Sequence, residues 1–431
     1  MAGSPETIFT VDPVALKYGA GALRELGADA TAAGMRRVLL VTDPTLAALP
    51  PVATATEALK AAGLEVVIFD RVRIEPTDTS FREAAAFAVE AKVDGFVSIG
   101  GGSVIDTAKA ANLYSTYPAD FLDYVNAPLG RAKPVPGPLK PHLACPTTAG
   151  TGSETTAVAI FDFVESQVKT GISSKFLRPT KAIVDPTTTY SLPAGVVACT
   201  GFDVLTHAIE SYTARLFTSR EAPADPLARP PYQGANPWSD GGALRAIELG
   251  GRYLVRAVSD PADTEARDNL TFAATLAGLA FGNAGVHIPH AMSYSVAGLN
   301  HRYVADGYDQ AREQTNQGMV PHGLSVVINA PAAFRFTADT APERHLIAAR
   351  ALGAPGGGVD EAGEVLAGRL EEMMRATGIP NGLEALGYGT GDIPALVDGA
   401  WKQQRLLVMA PKAVTRDDLA ALYGGAMRYW D

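Results

Sequence analysis

Asp203 and His207 stand four residues apart in the segment GFDVLTHAIESYT, and His287 and His290 stand three apart in HIPHAMSYSVAG. On a helix, residues three or four apart share one face. Asp203 and His207 can therefore share one ion. Tyr294 lies four beyond His290 on that same face, and His322 opens PHGLSVVINAPAAF ahead of another helical pattern. A carboxylate with two or three imidazoles suits Fe(II) or Zn(II). Such a set, with neutral histidines, stays net positive around a divalent ion, which polarises an alcohol oxygen and lowers its pKa. The competing reading of any one helical histidine is a structural residue satisfied by its neighbours. Glu210, three past His207, is read as a helix ion-pair partner rather than as a carboxylate that orients an imidazole.

Two loops suit a nucleotide. Gly100, Gly101, Gly102 and Ser103 follow an apolar run and precede the helical pattern VIDTAKAANLYS. Glycines let backbone N–H groups approach a pyrophosphate, and the helix N-terminus adds partial positive charge. The second loop, PTTAGTGSE after HLAC, carries Thr147, Thr148 and Thr151, more hydroxyls than a helix cap requires. That composition fits the ribose and nicotinamide side. Asp43 ends the run RVLLVTD, where a carboxylate accepts from an adenosine ribose and favours NAD over NADP, or else caps a helix. Gly19-Ala20-Gly21 begins like a dinucleotide fingerprint but lacks the third glycine and follows no buried strand, so it reads as a turn.

These groups need elements to hold them. The runs RVLLVTD, LEVVIFD and VDGFVSIGGGS recur about every 30 residues, as βαβ units do. Their lack of polar alternation suits parallel strands buried on both faces. HLACP and KAIVDP continue the series, and residues 157–163 and 167–173 read as a hairpin that interrupts it. Beyond Pro186 the pattern is helical. The expected fold is an α/β dinucleotide-binding lobe over residues 1–192 and an all-helical metal-binding lobe over 193–431. Residues 218–240 and 300–320 read as insertions, loops where substrate specificity tends to sit.

The chain has 431 residues, 47% hydrophobic and 19% charged, with a net charge of −10. That excludes wholesale disorder and argues against a nucleic-acid surface. Two cysteines, Cys145 and Cys199, exclude a disulfide scaffold and a four-cysteine zinc site. No uninterrupted apolar run has the length of a membrane span. The opening residues MAGSPETIFT lack a signal-peptide pattern and presequence arginines, so a cytoplasmic enzyme is expected.

Taken in order, GGGSVID, CPTTAGTGSE, GFDVLTHAIESYT, HIPHAMSYSVAG and PHG resemble the iron-containing (group III) alcohol dehydrogenases over essentially the whole chain. FGNAGVH, RPPYQGANPWSD and the long spacer before Val320 make the hydroxyacid-oxoacid transhydrogenase branch the best match. The resemblance implies Asp203, His207, His290 and His322 as ligands of Fe²⁺, with Zn²⁺ possible, and leaves His287 outside the set. It implies NAD on Asp43, Gly100–Ser103, Thr147, Thr148, Thr151 and Lys169. It also implies that 4-hydroxybutyrate is oxidised to succinate semialdehyde while 2-oxoglutarate is reduced to D-2-hydroxyglutarate. Many members carry a proton-passing histidine where this chain has Tyr294. Arg220 and Arg229, and less so Arg302, are the expected holders of the substrate carboxylate. Small hydroxy and oxo acids and a homodimer partner are expected, with no nucleic acid and no membrane. The rival readings are an ordinary NAD-dependent alcohol dehydrogenase of short alcohols, a lyase resembling dehydroquinate synthase, and a non-catalytic binder of metal and nucleotide.

Overall fold

The computed structural model describes residues 4–165, 168–300, 302–309 and 318–431. Within the second insertion, His301 and residues 310–317 lie outside the described residues. The chain forms two compact units, Pro13–Ser191 and Leu192–Asp431, the latter joined by the segment ending at Asp12. That segment departs from the expected residue 1–192 domain. Its Glu6 amide donates to the Arg220 carbonyl (2.9 Å), and the Thr10 carbonyl accepts from Gln233 Nε2 (2.8 Å) and Asn283 Nδ2 (2.7 Å). Backbone pairing of this kind, invisible to local periodicity, assigns these residues to the helical unit.

The α/β unit is built on six parallel strands: β1 (Ala15–Tyr18), β2 (Arg37–Val41), β3 (Glu65–Phe69), β4 (Gly95–Gly100), β5 (His142–Pro146) and β8 (Lys181–Val184). Their order is β1-β8-β5-β4-β2-β3. Val38 and Leu40 of β2 join one core with Leu26 and Leu59, from α1 (Leu26–Ala32) and α2 (Pro50–Ala61). Leu39 and Val41 join the other with Ala84 and Ala108, from α3 (Asp78–Ala91) and α4 (Gly102–Thr116). Burial on both faces is why β2 and β4 show no polar alternation, whereas β3, at the sheet edge, is exposed or half-buried at four of its five positions, so the run LEVVIFD is not doubly buried as expected. The expected hairpin is β6 (Val158–Phe163) with β7 (Val168–Ser173), an antiparallel pair apart from the main sheet. Gly19 and Gly21 lie in a positive-φ turn after β1, whose residues are exposed or half-buried, so the decoy is a turn as expected.

The sheet order fixes where a nucleotide binds. From β2 the chain steps outward to β3, then crosses back to β4 on the other side of β2. A crevice opens at such a reversal, beyond the carboxyl ends of the two strands. Asp43 follows β2, Gly100–Ser103 closes β4, and the threonine loop follows β5, the next strand over.

In the helical unit, α6 (Ala194–Thr213) is buried at every position from Val196 to Thr213 except Thr200. A helix apolar nearly all round belongs at a centre. Among its neighbours are α7 (Pro237–Ser259), α8 (Thr264–Ala284) and the helix His322–Val327. Asn236 caps α7 by accepting from the Trp238 and Ser239 amides, with Pro237 in the first turn. α9 (Ile288–Leu299) packs on Ile393–Trp401 and Gln404–Leu407. Among the described residues no strand follows β8; Leu216–Ala235 and Val304–Met319 are isolated bridges. No single described helix is long and apolar enough to cross a membrane, although α8 and α9 pass that test as one bent pair.

Candidate metal centre and dinucleotide loops

α6 presents Asp203 and His207 on one face, the start of α9 presents His290, and His322 opens the helix His322–Val327. One ligand atom from each of the four lies within 4.8 Å of the other three. Asp203 Oδ1 is 3.6 Å from His207 Nδ1, 3.6 Å from His290 Nε2 and 3.7 Å from His322 Nε2. Asp203 Oδ1, His207 Nδ1 and His290 Nε2 are buried with no hydrogen-bond partner among the described residues. Buried polar atoms are rarely left so. A cation at their common focus satisfies all of them, and one carboxylate with three imidazoles is a donor set for Fe(II) or Zn(II).

The reach of His322 depends on Gly323. A Cβ there would sit 2.0 Å from the Cys199 carbonyl and 2.9 Å from Asp203 Cβ, so only glycine lets the two helices approach this closely. His207 stacks on Phe281, ring centres 4.0 Å apart. The side chain of His322 is 26% exposed, against 2%, 5% and 4% for Asp203, His207 and His290. The centre is thus sealed on three sides and open toward His322.

Electrostatics favour a neutral His207 and an anionic Asp203, while two carboxylates draw His290 toward its protonated form. Burial pushes His207 down to about 3, leaving its lone pair free. Burial alone would raise the Asp203 carboxyl, but the three imidazoles outweigh it and hold the group well below the carboxylate range. Burial likewise opposes charge on His290, yet the Glu210 and Asp203 carboxylates raise it to about 10.

Glu210 corrects the reading made from spacing. It is not an ion-pair partner on the helix surface but a fully buried acceptor. One oxygen takes the His290 Nδ1 proton, and the other accepts from the His287 amide (2.8 Å) and the His290 amide (3.3 Å). The sequence carried a signal for it. Asp203, His207 and Glu210 are spaced i, i+4, i+7, on one helix face. His287 sits outside the ligand set, with Nε2 3.1 Å from Thr213 Oγ1. Tyr294 lies 6.5 Å from His322, ring to ring, and its hydroxyl accepts from Arg405 (3.0 Å), a residue that spacing did not single out.

The two nucleotide loops are packed on each other. The Thr147 amide donates to the Gly100 carbonyl (3.1 Å), and Gly101 lies beside Thr148. A Cβ on Gly102 would meet Thr151 Cγ2 at 2.7 Å. Backbone there is bare, at the start of a 15-residue helix whose first N–H groups have no intrahelical partner. That is a cradle for a pyrophosphate. Asp106 of α4 pins the second loop by accepting from Ser153 Oγ (3.0 Å) and the Ile160 amide (2.9 Å). Asp43 Oδ1 accepts from the Thr45 and Leu46 amides, the capping use weighed against ribose binding. Lys169 lies on β7, where its ammonium is paired with Glu75 and Asp162.

The arginines expected to hold substrate are engaged elsewhere. Arg229 grips Glu6 through Nε and Nη2, both at 3.1 Å, and Arg220 Nη2 lies 3.6 Å from the same carboxylate. The N-terminal segment supplies the anion that the expectation reserved for substrate. Arg302 is exposed, and its amide donates to Asn300 Oδ1 (3.0 Å).

A family model described as iron-containing alcohol dehydrogenase matches residues 13–186, and one described as the C-terminal part of the Fe-containing alcohol dehydrogenase family matches 232–303 and 314–427. Proteins named hydroxyacid-oxoacid transhydrogenase, mitochondrial, from Bos taurus and Homo sapiens are 48% identical over 419 residues, 96% of this chain and 89% of theirs. A protein named probable hydroxyacid-oxoacid transhydrogenase, mitochondrial, from Dictyostelium discoideum is 42% identical over 99% of this chain and 80% of its own. Among solved structures, a 1,3-propanediol oxidoreductase aligns with TM-score 0.84 and 29% identity, covering 97% of this chain and all of the other. A sulfoacetaldehyde reductase from Bifidobacterium kashiwanohense, in complex with NAD⁺, aligns with TM-score 0.79 and 26% identity, covering 98% and 99%. The cytoplasmic expectation is overturned: these relatives are named mitochondrial. Cellular address is carried by receptor-read segments, on which the composition of a folded enzyme is silent.

Proposed function

The chain belongs to the iron-containing alcohol dehydrogenase family, and from that premise we propose that it passes hydride from 4-hydroxybutyrate to 2-oxoglutarate. The products are succinate semialdehyde and D-2-hydroxyglutarate, and NAD stays bound between the half-reactions. The chain is an oxidoreductase acting on CH–OH groups. The observation that carries the reading is the convergent set Asp203, His207, His290 and His322, the first three buried with unpartnered ligand atoms, in a chain whose relatives are named for exchange between hydroxy and oxo acids.

When bound, Fe²⁺ (or Zn²⁺) supplies Lewis-acid polarisation of the substrate oxygen and NAD supplies a reversible hydride carrier. The residues of the chain do the rest. Asp203, His207, His290 and His322 hold the ion, and Glu210 keeps the His290 proton on Nδ1 so that Nε2 faces the focus. Phe281 shields His207 from water. Gly100–Ser103 and the α4 N-terminus hold the pyrophosphate, and Thr147, Thr148 and Thr151 line the loop beside it. Tyr294 replaces a proton-passing histidine. A phenol is a poorer proton relay at neutral pH than an imidazole. Exchange between two acids tolerates this, because one half-reaction releases the proton that the other takes up.

The test mixes iron-loaded protein with both acids and no added NAD, following products by mass spectrometry. Stoichiometric succinate semialdehyde and 2-hydroxyglutarate are expected. No product, with NADH formed from a short alcohol once NAD is supplied, would make the chain an ordinary alcohol dehydrogenase.

A further inference from the structure

Arg405 stands on the short helix Gln404–Leu407, which packs on α9. Its Nη2 donates to the Tyr294 hydroxyl at 3.0 Å, and its guanidinium carbon lies 5.9 Å from the Tyr294 ring centre. The Tyr232 hydroxyl approaches the same guanidinium. Among the described residues Arg405 forms no ion pair, whereas Arg229, Arg335 and Arg344 each grip a carboxylate. Two tyrosine hydroxyls orient the guanidinium without a carboxylate beside it, and Arg405 is only partly buried.

Its place matters. Tyr294 is four residues, about 6 Å along the axis, past the ligand His290. Its ring faces His322, the one ligand with an open side. Arg405 therefore stands next to Tyr294, which neighbours His322, the most exposed of the four ligands.

The two proposed substrates share a geometry. In 4-hydroxybutyrate the reacting carbon is C4 and the carboxyl is C1; in 2-oxoglutarate they are C2 and C5. In both, the carboxyl is the third carbon from the reacting one. One fixed cation a short distance from the reacting oxygen serves donor and acceptor alike, and the fork of a guanidinium matches a carboxylate with two parallel hydrogen bonds.

We propose that Arg405, oriented by Tyr294 and Tyr232, binds the remote carboxylate of both the hydroxy acid donor and the oxo acid acceptor, and so selects acids over plain alcohols. The assignment rests on the transhydrogenase reading above and goes further by naming the residue that sets substrate class.

The test compares iron-loaded wild type, Arg405→Gln and Arg405→Lys on 4-hydroxybutyrate, 2-oxoglutarate and 1-butanol, the last with added NAD. In Arg405→Gln the ratio of kcat/KM for 4-hydroxybutyrate to that for 1-butanol falls by about thirtyfold to a hundredfold, with KM for 2-oxoglutarate rising in step. Arg405→Lys, a point charge without the fork, falls between the two. If Arg405→Gln does not fold, judged by its thermal melt, Arg405→Lys reads the same ratio. An unchanged ratio in a folded variant, while wild type turns over both acids, overturns this assignment alone. A wild type that turns over neither acid overturns the transhydrogenase reading and the assignment with it.

Discussion

Replacing Glu210 by glutamine separates the charge of that side chain from its shape. The glutamate is fully buried and accepts three hydrogen bonds, from His290 Nδ1 and from the amides of His287 and His290. Glutamine keeps one carbonyl oxygen for the two amides. It then presents its NH₂ to the Nδ1 proton, donor against donor, or turns over and abandons the amides. Either way His290 loses the negative partner that fixes its tautomer and raises its basicity. Partners of this kind are worth about 10- to 100-fold in metal affinity, roughly 1.4–2.8 kcal/mol. Glu210→Ala is harsher, because three donors in a sealed site lose their acceptor, and a folding loss of at least ~3 kcal/mol is expected. The assay is iron affinity by competition with a chelator, set beside thermal melts of the metal-free proteins. Glu210→Gln should melt near wild type without metal yet gain less on metal addition. Wild-type metal affinity in a folded Glu210→Gln protein would refute the claim that this carboxylate orients His290.

Other substitutions test other parts of the structure. Gly102→Ala places a methyl 2.7 Å from Thr151 Cγ2 at the α4 N-terminus, and NAD affinity by calorimetry should fall about tenfold for ~1–3 kcal/mol of overpacking, with metal content unchanged. Gly323→Ala drives a methyl into the Cys199 carbonyl, so the His322–Val327 helix must shift, and metal content by elemental analysis should drop with NAD affinity retained. Arg229→Ala should lower the melting temperature at neutral pH but leave KM for 2-oxoglutarate unchanged, since its guanidinium is committed to Glu6. Hydrogen bonding from Arg229 holds the Glu6 carboxyl below its ordinary value. A depressed carboxyl stabilises the fold above its unfolded pKa, about 4.3, and that contribution fades as pH falls through the folded value. The difference in melting temperature between wild type and Arg229→Ala should therefore shrink between pH 5 and pH 3.

Periodicity is local physics, and the sequence carried it faithfully. A 3.6-residue helix puts Asp203 and His207 on one face wherever α6 ends up. Runs without polar alternation marked β2 and β4 as doubly buried, though the same pattern misled for the edge strand β3, and glycines between strand and helix marked the pyrophosphate loop. Those features were legible because each depends on a handful of consecutive residues. Convergence was not. The spacing of His287 and His290 is the same whichever of them faces the ion, and only the packing of α9 on its neighbours turns His290 inward and gives His287 to Thr213. The same spacing that put Glu210 on the ligand face left open what it touched, until α9 brought an imidazole and two amides to it. Arg229 looked like a free cation because its partner, Glu6, lies 223 residues away in sequence. Arg405 went unremarked because no motif surrounds it, and the neighbours that give it meaning, Tyr294 and Tyr232, reach it only in the folded unit. The sequence determined which chemical groups each helix face and loop carries. Tertiary structure decided which of them meet and which charges are already spent on one another, because burial leaves a carboxylate, an imidazole or a guanidinium with only the partners that packing brings to it.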